Sequence, residues 1–276
     1  MTALPTQSHP DAASQAILLK TLANDGVLRL TLNRPSQRNP LSQAMLAALQ
    51  AALDDAAGDN AVRAIIIAAN GPGFCGGHDL REMTAHRGDP DGGRAHFEQT
   101  FSRCATLMQT IVNHPHVIVA EVQGIATAAG CQLVAACDLA VASNMAQFGV
   151  NGINSGLFCS TPMVALSRNI PRKRAMALLT LGELMSAEEA LEVGLVNEVV
   201  EPEDLTAAGD ELAGRLASRA AAVLKLGKQA FYRQLEMPLD EAYAFTSRVI
   251  VDNMLMDDAV EGIGAFLDKR KPEWKS

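Results

Sequence analysis

The chain has no Cys-x-x-Cys pair and no His-x-x-x-His pair, although it carries five cysteines and six histidines. An odd set of cysteines without that spacing argues against a disulfide scaffold or a zinc site, predicts no metal, and fits a reducing compartment. No run approaches 18 consecutive apolar residues, which excludes a membrane-spanning helix. Residues 1–15 contain no arginine and no apolar core, so they read as a flexible tail rather than a signal or transit peptide. A cytoplasmic location is the resulting expectation. Basic excess is also missing: 23 Lys and Arg stand against 31 Asp and Glu, a formal charge of −8. That balance argues against a sequence-independent nucleic-acid binder and against attachment to an anionic membrane. A polyanionic ligand would have to be met by local clusters of Lys and Arg.

What is present is the composition of an ordinary soluble globular protein, 48% hydrophobic and 20% charged over 276 residues. Ile17–Leu22 and Val27–Leu32, separated by Asn24-Asp25-Gly26, read as a hairpin. Ser42 is placed to cap a helix whose apolar face is Met45, Leu46, Leu49, Ala52, Leu53 and Ala56. A strand at Ala64–Ala68 leads into the glycine-rich loop Asn70–Gly77, and the polar stretch 84–94 reads as mobile. A helix up to about Asn113 ends before Pro115, and strands follow at Val117–Val122 and Leu139–Ala142. Beyond Ser160 only helical patterns remain, including one opened by the Ser-Ala-Glu-Glu capping box at Ser186. Strand–helix alternation followed by pure helix predicts an α/β core over residues 16–200 and a helical region over 201–276.

The densest information lies between Glu121 and Ser160. An apolar strand runs into a Gly/Ala turn that opens a helix near Ala129. Free N–H groups at such a start can bind an anion or a developing oxyanion, and small side chains admit a ligand close to the backbone. Gln132 and the loop near Gly152 frame the turn, and neither supplies a carboxylate. Phe74-Cys75-Gly76-Gly77-His78-Asp79 is a second tight turn after a strand, able to present successive N–H groups. Asp79 is placed to cap the helix that follows. Glu121, inside an apolar strand, needs a partner if it is buried. Asp138 is expected to make structural hydrogen bonds, and Cys159 is expected to be a packed residue with nothing basic beside it.

Five blocks in order resemble the crotonase superfamily, the enoyl-CoA hydratase/isomerase family: Leu32–Leu41, Phe74–Leu80, the strand–turn–helix at Glu121, the Gly194 segment and Glu261–Trp274. They span roughly residues 16–274 and look most like its divergent enoyl-CoA hydratase domain-containing branch. The resemblance implies a ββα spiral core and a C-terminal trimerisation region, giving a homotrimer or dimer of trimers. It implies an acyl-CoA thioester as substrate, with no separate cofactor. The oxyanion-hole N–H groups map onto His78 and Ala129; such donors contribute roughly 3–4 kcal/mol each. Gln132 and Gly152 fall where hydratases carry their two catalytic glutamates, so hydration is expected to be weak. Coenzyme A contacts map onto Gly76, His78, Asp79 and Leu80, with Arg34 and Arg38 as nearby cations, and onto Phe266 and Lys269 reaching a neighbouring subunit. A decarboxylation on the same scaffold and a non-catalytic acyl-CoA binder are the alternatives.

Overall fold

The structure is a computed structural model that describes residues 16–276; the tail expected at residues 1–15 lies outside the described residues. The hairpin forms as β1 (Leu18–Leu22) and β2 (Val27–Leu32), antiparallel with Leu18 opposite Leu32. Helix α1 (Gln43–Ala57) begins where the Ser42 hydroxyl accepts the Met45 N–H, and it buries the six expected residues. Each leucine so buried stabilises the fold by about 1.5–3 kcal/mol.

The middle of the chain is a repeated unit. A long strand, β3 (Ala64–Ala69), is followed by a short one, β4 (Gly73–Cys75), and then by helix α2 (Leu80–Ala85). Helix α3 (Arg94–Asn113) leads to the next unit, β5 (Val117–Val122), β6 (Ile125–Thr127) and α4 (Ala129–Ala136). A third follows as β7 (Leu139–Ser143), β8 (Gln147–Gly149) and α5 (Pro162–Asn169). Helix α6 (Arg172–Leu181), β9 (Met185–Ser186), α7 (Ala187–Glu192) and β10 (Glu198–Val200) complete the core. In every unit the long strand joins a six-stranded sheet ordered β1-β2-β3-β5-β7-β10. The short strand joins a four-stranded sheet ordered β4-β6-β8-β9. Pairings inside the repeat are parallel, so the chain advances by one strand in both sheets per turn. This is the ββα spiral.

After residue 200 the described chain is helical: α8 (Leu205–Ala217), α9 (Ala221–Gln234), α10 (Leu239–Met254) and α11 (Asp257–Leu267). Two polar contacts dock the first pair on the core. Arg29 on β2 donates to Glu121 on β5 at 2.9 Å and to Asp210 on α8 at 2.7 Å. Glu121 thus finds its partner across the sheet. Lys228 on α9 is buried and donates to Asp138 at 2.6 Å and to the Ile111 and His116 carbonyls at 2.9 and 3.0 Å. The Tyr232 hydroxyl and the Ile118 N–H also donate to Asp138, confirming its structural role.

Three expectations change. The region beyond Ser160 is not purely helical, because β9 pairs with β8 and β10 pairs with β7. The stretch 84–94 has defined structure, with a 3₁₀ turn at His86–Gly88 and an Asp91 carboxylate that accepts the Gly93 and Ala95 N–H groups, both at 2.9 Å. The four-stranded sheet is also new, because strands of two or three residues carry no readable alternation.

Candidate active site

The loop between β2 and α1 starts the site. Arg38 and Asn39 both take left-handed backbone conformations, φ 59° and 50°, each costing about 1–2 kcal/mol in a non-glycine residue. The wholly buried Asn39 side chain compensates. Its Oδ1 accepts the Arg34 N–H at 2.7 Å, and its Nδ2 donates to the Asn70 and Gly73 carbonyls, both at 2.9 Å. The loop is thereby stitched to the β3–β4 turn. Gly76 then donates to the Arg38 carbonyl at 2.8 Å, and Leu41 to the Gly77 carbonyl at 2.8 Å.

Gly77 joins this turn to the one that opens α4. It has φ +93°, and a Cβ there would stand 3.0 Å from the Ala128 Cβ, 3.2 Å from the Thr127 carbonyl oxygen and 3.4 Å from the Ala129 nitrogen. Ala128 itself has φ 50°, which turns the backbone sharply into the helix. Gly130 lies against the other side, since a Cβ there would meet the Cys75 carbonyl at 2.1 Å. Among the described residues, no backbone carbonyl or side chain accepts the N–H of His78 or of Ala129. Two uncommitted donors therefore sit on turns in direct contact.

A cleft of 510 Å³ opens at His78 and is lined by Arg38, Gly76, His78, Asp79 and Leu80, five of the residues singled out from sequence, whereas Ala129, Gln132 and Gly152 do not line it. Gln37, Arg81 and Thr127 line it too. Arg81 went unnoticed in the sequence because one arginine at the start of a helix looks like ordinary surface charge. Asp79 accepts the Arg81 and Glu82 N–H groups as the cap of α2, and Arg34 pairs with it at 3.4 Å. Arg34 also contacts Gln37, so its charge is committed at the rim of the cleft.

Gln132 lies inside α4, 4% exposed, with Oε1 lacking any partner among the described residues. Gly152 sits on the 3₁₀ turn Asn151–Ser155, where a Cβ would meet the Cys159 Sγ and the Leu157 carbonyl, both at 2.8 Å. All five cysteines are buried and unpaired. Burial pushes the Cys75, Cys104 and Cys131 thiols up to about 12, and raises Cys159 as well. None of them supplies a thiolate near neutral pH. Phe266, 81% exposed on α11, and Lys269 just beyond it do not line the cleft.

The family model described as enoyl-CoA hydratase/isomerase matches residues 22–276. The chain belongs to this family. A rat protein named enoyl-CoA hydratase domain-containing protein 3, mitochondrial, is 46% identical over 95% of the chain and 85% of its own length. The family member 2,3-dehydroadipyl-CoA hydratase of Escherichia coli is 34% identical over 90% of the chain and 95% of its own length. Among solved structures, an enoyl-CoA hydratase of Mycobacterium smegmatis superposes with a TM-score of 0.90 at 48% identity, covering 95% of this chain and all of that one. Human enoyl-CoA hydratase domain-containing protein 3 superposes at 0.89 and 46% identity, over 94% and 100%. The fold and the resemblance read from the five blocks are thus established. The cytoplasmic expectation is corrected: the rat, mouse and human relatives at 46–47% identity are all named mitochondrial. That expectation rested on the cysteine spacing and on the composition of residues 1–15, and a reducing compartment does not single out the cytoplasm.

Proposed function

We propose that this family member binds an acyl-CoA thioester in the 510 Å³ cleft and stabilises the thioester enolate with the N–H groups of His78 and Ala129. One observation carries the reading: Gly77 rests on Ala128 and Ala129, so both uncommitted donors belong to one packed unit. Preorganised donors of this kind stabilise developing negative charge without reorganising during the reaction. Arg38 and Arg81 supply positive charge in an otherwise acidic chain, which suits the phosphates of coenzyme A. The Escherichia coli relative, named as a hydratase of a CoA thioester, supports this substrate class.

Gln132 and Gly152 stand where hydratases carry glutamates in this reading, so hydration of crotonyl-CoA is slow. An amide cannot act as a general acid or base near neutrality, and losing one such group costs roughly 10²–10⁴-fold. Assembly as a trimer or dimer of trimers belongs to the same proposal. It is supported by the exposed Leu239, Tyr243, Leu255, Phe266 and Leu267 on and beside α10 and α11. Phe266 and Lys269 would then complete a neighbour's site.

Calorimetric titration with a non-hydrolysable acyl-CoA tests the binding, and Ala129→Pro, which removes one N–H, should weaken it at least tenfold. No heat, and no thermal protection at millimolar ligand, would refute the reading.

A further inference from the structure

Proton transfer at an enolate needs a group whose lone pair is free, whose charge state suits neutral pH, and which stands beside the oxyanion donors. The titratable groups at the two joined turns can be taken in turn. The Asp79 carboxylate accepts two N–H groups and pairs with Arg34. Glu82 accepts the Gln43 N–H at 3.0 Å. The Cys75 and Cys131 thiols are held protonated by burial. Gln132 carries a carboxamide, which is neither an acid nor a base near neutrality.

The His78 imidazole is different. Its Nδ1 lies 3.3 Å from the Leu41 carbonyl. A carbonyl only accepts, so Nδ1 carries the proton and Nε2 holds the lone pair. Nε2 is buried and has no partner among the described residues. The ring is held edge to face against Phe101 of α3, centroids 5.3 Å apart at 87°, so its orientation is set by packing as well as by Leu41. His78 lines the cleft, and its own N–H is one of the two uncommitted donors.

We propose that His78 is a bifunctional catalytic residue, its N–H binding the thioester oxygen while Nε2 removes and returns the proton on the adjacent carbon. This rests on the acyl-CoA reading given above. In the forward step the Cα–H bond breaks and its electron pair forms the enolate double bond. The carbonyl π pair moves onto the oxygen facing His78 and Ala129, and the proton goes to Nε2, giving an imidazolium. The reverse step restores both partners. Burial lowers the tendency of the ring to protonate below that of a free histidine. The Leu41 carbonyl and Glu82 oppose this shift, while Asp79 with Arg34, and Arg38 and Arg81, which line the same cleft, are the other charges near it. A neutral ring near pH 7 is the form that accepts a proton.

The experiment is deuterium exchange into butyryl-CoA in D₂O, read by mass spectrometry, with calorimetric titration of the same thioester. The full chain is compared with His78→Ala and His78→Gln, both of which keep the backbone N–H. The expected result is exchange by the parent chain and a loss of at least 100-fold in both variants, with binding changed less than fivefold. The parent rate should be level at neutral pH and fall only in the acid range, with its inflection below the free-histidine value of about 6.5 because burial disfavours the imidazolium, and that dependence should vanish from any residual rate in the variants. If His78→Ala loses thermal stability, His78→Gln carries the comparison. Binding without exchange in the parent, or exchange within threefold in a folded variant, overturns the role of His78 and leaves acyl-CoA binding standing. No binding by the parent chain overturns both.

Discussion

The Cys159 Sγ occupies the space in which a side chain at Gly152 would begin, 2.8 Å from the position of an added Cβ. The Leu157 carbonyl closes the same space from the backbone. A second carboxylate therefore cannot be installed at residue 152 by substitution alone. Gln132→Glu with Gly152→Glu is expected to leave crotonyl-CoA hydration within about tenfold of the parent, because the loop must move to admit the side chain. Overpacking of this kind costs roughly 1–3 kcal/mol. Steady-state hydration and thermal unfolding measure the two effects, and recovery of a dedicated hydratase's rate would contradict the geometry.

Gly77 and Gly76 are adjacent yet should respond differently to alanine. Gly77 has φ +93° and backbone atoms within 3.4 Å of a new Cβ, whereas Gly76 meets nothing closer than 3.6 Å. Gly77→Ala should cost about 1–3 kcal/mol, which is roughly 2–10 °C in a chain of this size, and should weaken acyl-CoA binding. Gly76→Ala should unfold within about 1 °C of the parent. Equal losses in a melting experiment would show that the contact between the two turns is not what holds them.

These contacts explain what the sequence could convey. Helix α1 was legible because its six buried residues repeat at helical spacing behind a serine cap. The turns at Gly77 and Ala129 were legible as separate motifs, each after an apolar strand. That they touch was not, because 52 residues separate Gly77 from Ala129 and no local pattern encodes the contact. The same applies to Arg29 with Glu121 and Lys228 with Asp138, pairs 92 and 90 residues apart. Helix α5, which begins at Pro162, gave too short a pattern to be separated from the loop before it.

The buried Lys228–Asp138 pair gives a prediction about coupling. Lys228→Met leaves a buried carboxylate and should cost about 3–5 kcal/mol, as should Asp138→Leu. The double variant should cost clearly less than the sum, since no unpaired charge remains. Denaturant unfolding of the four proteins closes the cycle, and additive losses would mean that the two groups do not depend on each other.

Acid should destabilise the fold through His114. Its Nε2 donates to the Leu53 carbonyl at 3.0 Å, and its Nδ1 accepts the His116 N–H at 3.2 Å, so the buried ring is neutral. Burial holds both His114 and His116 below the usual histidine value. The unfolded chain thus binds more protons just below about pH 6.5. Stability is fully present above that value and falls as pH drops through the folded-state values. The urea midpoint should decline between pH 7.5 and 5, and His114→Asn should flatten that decline. An unchanged slope would assign the acid sensitivity elsewhere.

The five buried thiols also make the chain its own stopwatch. A thiol reagent can modify them only when the fold opens, so the rate at which label appears on each cysteine times the opening of its neighbourhood. Cys75 reports the turn that carries His78, Cys131 the helix behind Ala129, and Cys104 the helix that braces Phe101. Cys137 adjoins Asp138 and would reveal the moment α9 lets go of the core. Departure of α10 and α11 alone would be silent, because those helices carry no cysteine.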